Sequence, residues 1–408
     1  MIPAGWTSVK LKPLLQRVRK PVEVEAETLY REIGIRSHGK GIFYKEERTG
    51  DSLGDKSVFW IEPDCFIVNI VFAWEQAVAK TTTAEQGMIA SHRFPMYRPK
   101  DGKLDLDFLV YFFKTSRGKR LLELASPGGA GRNKTLGQEA FLDLAIPLPP
   151  FPEQRAIAAI LGTWDRAIAL TERRLAAAEQ RKKALMQQLL TGRVRFPEFA
   201  GEEWREARLK DIATINPPKP QKVHDDTLVS FIAMADVSEN AQIISTTERP
   251  YYEVNSGFTS FQDEDILIAK ITPCFENGKG AWVHSLKNGL GFGSTEFHVI
   301  RVHGTQADPE FIYYHTIGHN FRGRGGADMV GSAGQKRVRT DFVKNYKVML
   351  PSLPEQRRTA AVLNACDREL DLLRRKRDAL QQQKKGLMQR LLTGRVRVPS
   401  GLKKINAE

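Results

Sequence analysis

One stretch of this chain is written twice. Residues Leu148 to Pro197 read LPPFPEQRAIAAILGTWDRAIALTERRLAAAEQRKKALMQQLLTGRVRFP, and Leu350 to Pro399 read LPSLPEQRRTAAVLNACDRELDLLRRKRDALQQQKKGLMQRLLTGRVRVP. The copies align without a gap, Pro152 falling on Pro354, and about 28 of 50 aligned positions are identical. A period of this length is too long for a solenoid of stacked units. It points to a duplicated half, closed each time by the same element.

The spacing of apolar residues says what that element is. In the first copy, Ile157, Leu161, Trp164, Ile168, Thr171, Leu175, Ala178, Lys182, Leu185 and Leu189 follow alternating steps of four and three, the seam of a heptad helix. In the same phase, the second copy gives Thr359, Leu363, Cys366, Leu370, Leu373, Arg377, Leu380, Lys384, Leu387 and Leu391. Lys182 and Lys384 occupy equivalent seam positions, where a polar residue fixes register at a cost in stability. Each helix opens on Pro-Glu-Gln, because proline lacks the amide that the first turn leaves unused and an acid suits the helix dipole. Each closes before Gly192 or Gly394, placed for a left-handed cap. Two readings of the seam remain: the helices pair antiparallel with each other, or each packs only on its own globular neighbour.

The chain restarts after the first copy. GWTSVKLKPLL near the N-terminus is echoed by EWREARLKDIA, with Trp6 and Trp204, Leu11 and Leu209, Lys12 and Lys210 at one spacing. Between these openings and the helices, β-branched and aromatic runs predict strands: VFWI (Val58 to Ile61), CFIVNIVFAW (Cys65 to Trp74), SFIAM (Ser230 to Met234), DILIAKI (Asp265 to Ile271) and EFHVIRV (Glu296 to Val302). Asp105 to Arg120 and Pro309 to Arg322 each predict a helix. A basic glycine-rich stretch follows in both halves, SPGGAGRNK (Ser126 to Lys134) and GSAGQKRVR (Gly331 to Arg339), and a short strand then leads into the long helix.

Repeated spacers between unlike globular units, PEQR to LLTGRVR twice, with EIGIRSHGKGIF (Glu32 to Phe43), ITPCFENGK (Ile271 to Lys279) and GFGSTEFHVIR (Gly291 to Arg301), resemble the specificity subunits of type I restriction-modification systems over nearly the whole chain. The resemblance implies an α+β fold: two pseudo-repeated target recognition domains, residues 1–150 and 198–351, joined by two long antiparallel coiled-coil helices, residues 151–197 and 352–399, before a tail at 400–408. It implies that each domain reads one half of a split, asymmetric double-stranded DNA site while the spacers set the gap. Two modification subunits, and two restriction or translocase subunits, would be partners. S-adenosylmethionine, ATP and magnesium would serve on those subunits, with no cofactor and no metal held by this chain.

Composition agrees with a polyanionic partner. The formal charge is +14 and the isoelectric point about 9.6. No run of 18 apolar residues and no signal peptide is present, so a cytoplasmic protein without membrane contact is expected. Cys65, Cys274 and Cys366 are scattered and read as buried thiols.

Motifs of catalysis are sparse. Asn216-Pro217-Pro218-Lys219 approaches the Asn-Pro-Pro-aromatic loop of adenine methyltransferases, but lysine cannot stack on a flipped base, so an extended segment is expected there. Pro63-Asp64 with Asp101-Gly102-Lys103 imitates a nuclease pattern only faintly, and there is no P-loop or H-E-x-x-H. Two other classes stay open: a catalytic methyltransferase or nuclease, and a coiled-coil adaptor that never touches DNA.

The DNA-binding candidates are cations beside glycine, with amides able to read adenine. In the first half these are Arg36, Ser37, His38 and Lys40, with Arg132, Asn133 and Lys134; in the second, Lys270, Arg322, Arg324, Gln335, Lys336, Arg337 and Arg339. Lys270 aligns with Ile70, so its role does not carry over to the first half. The spacer-packing candidates are Leu161, Trp164, Ile168, Leu175, Leu185 and Leu189 with Leu363, Leu370, Leu373, Leu380, Leu387 and Leu391. From Ile157 to Leu189 a helix rises about 48 Å, or roughly 14 base pairs.

Overall fold

The structure, a computed structural model, describes residues 3–54, 56–100, 102–128, 134–332 and 334–398. The chain divides into two units, the first built from residues up to Glu172 together with those from Arg375 onward, the second from Arg173–Arg374. The long helices, Phe151–Leu189 and Leu353–Leu391, run 39 residues each, and each gives its longer N-terminal part to one unit and the rest to the other.

In the first unit, strand Thr7–Lys10 pairs antiparallel with Ala145–Leu148 and delivers the chain into the long helix. One four-stranded sheet runs Leu15–Val18, Met96–Pro99, Phe66–Val68, Val78–Lys80; the other runs Gly41–Thr49, Leu29–Arg36, Ile89–Ser91, Val58–Trp60. The second unit repeats this order strand for strand. Arg205–Arg208 pairs with Lys347–Leu350; one sheet is Ala213–Ile215, Phe297–Val302, Ile266–Ala269, Gly280–Trp282, and the other Thr247–Pro250, Leu228–Ile232, Leu290–Gly293, Thr259–Gln262. The duplication therefore survives as topology where sequence identity has gone.

Several predicted elements are shorter than their apolar runs. The Cys65 to Trp74 run yields strand only at Phe66–Val68, because Asn69 turns the chain: its Oδ1 accepts the Val71 N–H at 3.1 Å and its carbonyl that of Phe72. The helix predicted over 105–120 is two, Leu106–Phe113 and Ser116–Leu124, since the Thr115 hydroxyl caps a new start by accepting the Gly118 N–H at 3.0 Å. Pro309–Ile317 and His319–Ala327 likewise break at Gly318. Short helices at Gln138–Leu142 and Thr340–Asn345, absent from the sequence reading, precede the last strand of each half. The Asn216 segment is held as a bend, with φ of 53° and its amide bound to Val299, and Lys219 donates to the Asn255 carbonyl.

The helical seam is covered at every expected position. Leu161, Leu175, Leu189, Leu363, Leu370 and Leu391 are buried, and Trp164, Ile168, Leu185, Leu373, Leu380 and Leu387 half-buried. Both packing alternatives hold together. In the first unit Ile157 and Leu161 join Phe108, Phe112, Phe141 and also Leu391 and Leu392 at the end of the second helix in one core; in the second unit Leu189 and Leu190 join Phe311, Ile312 and Leu363. Each such leucine contributes about 1.5–3 kcal/mol on burial.

Ion pairs give the direction of pairing. In the first unit Asp165 meets Lys384 and Glu153 meets Arg397; in the second Glu179 meets Arg374, Lys182 meets Asp367, and Arg195 meets Glu355. Partner numbers fall as helix numbers rise, so the helices run antiparallel in both units. The repeated motif thus recognises its own copy: the last arginine of one Gly-Arg-Val-Arg grips the glutamate of the other Pro-Glu-Gln with two bonds, 2.7 and 2.8 Å for Arg397, 3.0 and 2.6 Å for Arg195. The neighbouring Gln154 and Gln356 sew each helix start to its globular part, accepting from the Asp105 and Asp308 amides at 2.8 and 2.9 Å. Gly192 and Gly394 take φ of 69° and 67°, the expected left-handed caps.

Candidate nucleic-acid interface

In the first unit, strands Leu29–Arg36 and Gly41–Thr49 form a hairpin whose tip is Ser37 to Lys40. His38 and Gly39 both take positive φ, 60° and 64°, as a tight hairpin turn requires. The tip is tied to the turn Ala73–Glu75: Ser37 Oγ donates to Glu75 Oε2 at 2.7 Å, and the His38 and Gly39 amides donate to the Glu75 and Gln76 carbonyls. Trp74, whose N–H donates to the Val71 carbonyl, carries the Lys134 ammonium 5.5 Å from its ring centre. The Leu136 amide donates to the Ile70 carbonyl at 2.9 Å, so the end of the basic glycine stretch rests on the same turn.

Three loops therefore converge, presenting Arg36, His38, Lys40 and Lys134. Arg36 and Lys40 are exposed; the Arg36 guanidinium lies 5.3 Å from the Phe43 ring centre. Arg132 and Asn133 lie outside the described residues.

The second unit repeats the docking. The Val338 amide donates to the Lys270 carbonyl at 2.8 Å, the counterpart of Leu136 on Ile70, and the Thr272 amide donates to the Lys336 carbonyl at 2.9 Å. Val330 and Arg337 exchange backbone bonds of 3.1 and 2.9 Å, closing a small hairpin that carries Gln335 and Lys336 at its exposed turn. Behind it, His298 links two segments, Nε2 lying 2.9 Å from the Val338 carbonyl and Nδ1 3.3 Å from Asn216 Nδ2. Burial, with Lys270 nearby, holds that imidazole below the ordinary histidine range.

Three of the predicted cations sort differently from what charge alone suggests. Arg322 is committed to the fold, its guanidinium donating to the Thr316, Phe275, Gly278 and Lys279 carbonyls from above the Phe275 ring; burial draws its pKa down to about 10. Arg337 holds both oxygens of Glu296 at 2.8 to 3.1 Å, and Arg339 pairs with Asp328. Bonding from Arg337 keeps the Glu296 carboxyl below its usual range. Arg324 is exposed on helix His319–Ala327. Of the predicted cations in this unit, those left to meet an outside anion are Lys270, Lys336 and Arg324. The sequence reading missed Glu75, Glu296 and Asp328, acids set among cations whose partners lie 11 to 41 residues away.

Among the described residues, no cluster of three or more metal-ligating side chains occurs and no helix is long and apolar enough to cross a membrane. The arrangement can bind and orient a ligand.

Comparison with known proteins fits this geometry. The family model for the type I restriction modification DNA specificity domain matches residues 53–180 and 201–382. The chain is similar to the type I restriction enzyme EcoEI specificity subunit of Escherichia coli, 39% identical over 158 residues, covering 38% of this chain and 26% of that protein. To the EcoAI specificity subunit of the same organism it is 37% identical over 185 residues, covering 42% of this chain and 31% of that protein. The chain thus spans less than a third of the length of these two relatives. In fold it is similar to the S subunit of a type I restriction-modification system from M. genitalium, with a TM-score of 0.59, 15% identity and 96% of each chain covered.

Proposed function

Since this chain belongs to the type I restriction modification DNA specificity domain family, we propose that it is the DNA-reading subunit of such a system. It is non-catalytic, and the methyl transfer and the ATP-driven cleavage belong to other subunits. Each unit reads one half of a bipartite, asymmetric double-stranded site, and the paired helices set the unread gap. Two modification subunits, carrying S-adenosylmethionine, engage the duplicated helical surface; two restriction subunits, using ATP and magnesium, complete the nuclease.

The observation that carries this reading is the duplicated docking, Leu136 on the Ile70 carbonyl in one unit and Val338 on the Lys270 carbonyl in the other. Two topologically identical units each bring a glycine-rich basic segment onto the turn after a central strand, yet with different side chains, Ile70 and Trp74 in one against Lys270 and Cys274 in the other. Like scaffolds with unlike loops suit two unlike half-sites. Phosphate contacts would position each unit and base contacts would specify it.

The test is adenine-methylation mapping across a genome in cells that express this chain with its methyltransferase, compared with cells lacking this chain alone. A split motif that disappears on deletion supports the reading. Methylation that persists unchanged would remove it and favour a helical adaptor. A heptad inserted into both helices should lengthen the gap, and an unchanged gap would show that the helices are not the ruler.

A further inference from the structure

The hairpin that closes at Val330 and Arg337 is pinned at its base and crosslinked at its tip. Its return strand is fixed by the Thr272 amide on the Lys336 carbonyl and by the Val338 amide on the Lys270 carbonyl. Above that base, Arg337 spends every donor it uses on the protein itself: Nε and one terminal nitrogen take Glu296, and the other terminal nitrogen takes the Gln335 carbonyl at 3.1 Å. Glu296 is in turn anchored, since its own carbonyl accepts the Lys270 amide at 2.8 Å. Arg337 is therefore a strut between the sheet and the backbone of Gln335. The side chains of Gln335 and Lys336 are left exposed and without partners among the described residues.

We propose that Glu296 is a positioning residue for DNA recognition, acting through Arg337 to hold the Gln335 backbone so that its side-chain amide reads a base edge in the second half-site. The proposal rests on the DNA-reading function above and deepens it. A glutamine amide can offer a donor and an acceptor together to adenine, which demands a fixed direction of approach. A bidentate arginine–carboxylate pair supplies that fixity, as a lysine or a neutral amide does not. Lys336 beside it meets phosphate, which tolerates rotation.

The experiment uses the complex of this chain with its methyltransferase subunits and the mapped target. Affinity is measured for that target, for one altered in the first half-site, and for one altered base by base in the second. Glu296→Gln should reduce discrimination within the second half-site about ten-fold, concentrated at one or two positions, while discrimination within the first stays as in the wild type. Gln335→Ala should lose discrimination at those same positions. Glu296→Asp, which keeps a carboxylate for Arg337 while the arginine still donates to the Gln335 carbonyl, should retain more of it than Glu296→Gln, an outcome that simple loss of a fold contact does not give. Unchanged second-half discrimination in Glu296→Gln, or equal losses in both half-sites, overturns the positioning role. Wild-type complex with no preference for the mapped target overturns the DNA-reading function itself, a result distinct from either.

Discussion

Lys182 on the first long helix places its ammonium 2.5 Å from Oδ1 of Asp367 on the second, and Tyr314 of the adjoining helix donates to the other oxygen of that carboxylate at 2.9 Å. The same ammonium lies 5.4 Å from the Tyr314 ring centre. The first unit holds the equivalent trio, Lys384, Asp165 and Tyr111, with the roles of the two helices exchanged. Burial and then the aspartate push both tyrosine hydroxyls up, so each stays a donor.

Removing Asp367 should leave an unpaired ammonium among protein atoms, because the Lys182 side chain is only 14% exposed. Asp367→Ala is expected to lower stability by about 3 kcal/mol. Lys182→Met combined with Asp367→Leu should lose much less, since neither charge is then stranded. Urea unfolding of the three chains checks this; equal losses would mean the attraction itself, rather than its orphaned half, carries the stability.

Gly394 has φ of 67°, and a Cβ there would stand 2.3 Å from Cγ of Pro3. Gly394→Ala should cost roughly 1–3 kcal/mol from the left-handed backbone alone. Gly201, with nothing within 4 Å of an added Cβ, is the control. A thermal melt in which both variants match the wild type would contradict the cap.

His315 stands where the first unit has Phe112, and its Nε2 is buried without a partner among the described residues. Burial pulls the imidazole down to about 4 from the ordinary 6.5. The unfolded chain therefore binds a proton that the folded one refuses, and stability should fall as pH drops from about 6.5 towards 4, by on the order of 1–3 kcal/mol. His315→Phe should flatten that part of the profile. Melting temperatures at pH 7 and pH 5 decide the point, the wild type losing more than the variant.

Along the seam, Leu363 is fully buried whereas Leu380 is half-buried. Leu363→Ala should cost about 2–5 kcal/mol and Leu380→Ala distinctly less. Denaturant titration of the two variants should give that order.

The long helices were legible because their signal is redundant: ten seam positions repeat in two copies, and side chains three and four apart must share a face whatever the tertiary context. The globular parts gave weaker signals. The run from Cys65 to Trp74 is uniformly apolar, yet Asn69 bends it by bonding its own neighbours, a choice settled by local polar chemistry. The breaks at Thr115 and Gly318 lie inside stretches that read as continuous helices. At the candidate interface, cations were visible but their acids were not, since Arg337 and Glu296 are brought together only by the crossing of a hairpin over a strand. Arg322 read as a surface charge because nothing nearby in the sequence announces four carbonyls converging on one guanidinium.

The division of the helices also imposes an order of birth. The second unit is one continuous segment, Arg173–Arg374, and has all its parts once the ribosome has passed the middle of the second helix. The first unit, although it begins the chain, counts Leu391, Leu392 and Val398 among its core residues and must wait for them. At about 5–20 residues per second, that delay is tens of seconds during which the N-terminal sheets stand with an open apolar face. The half made first is finished last, and a chaperone that shelters nascent chains should find its longest engagement there.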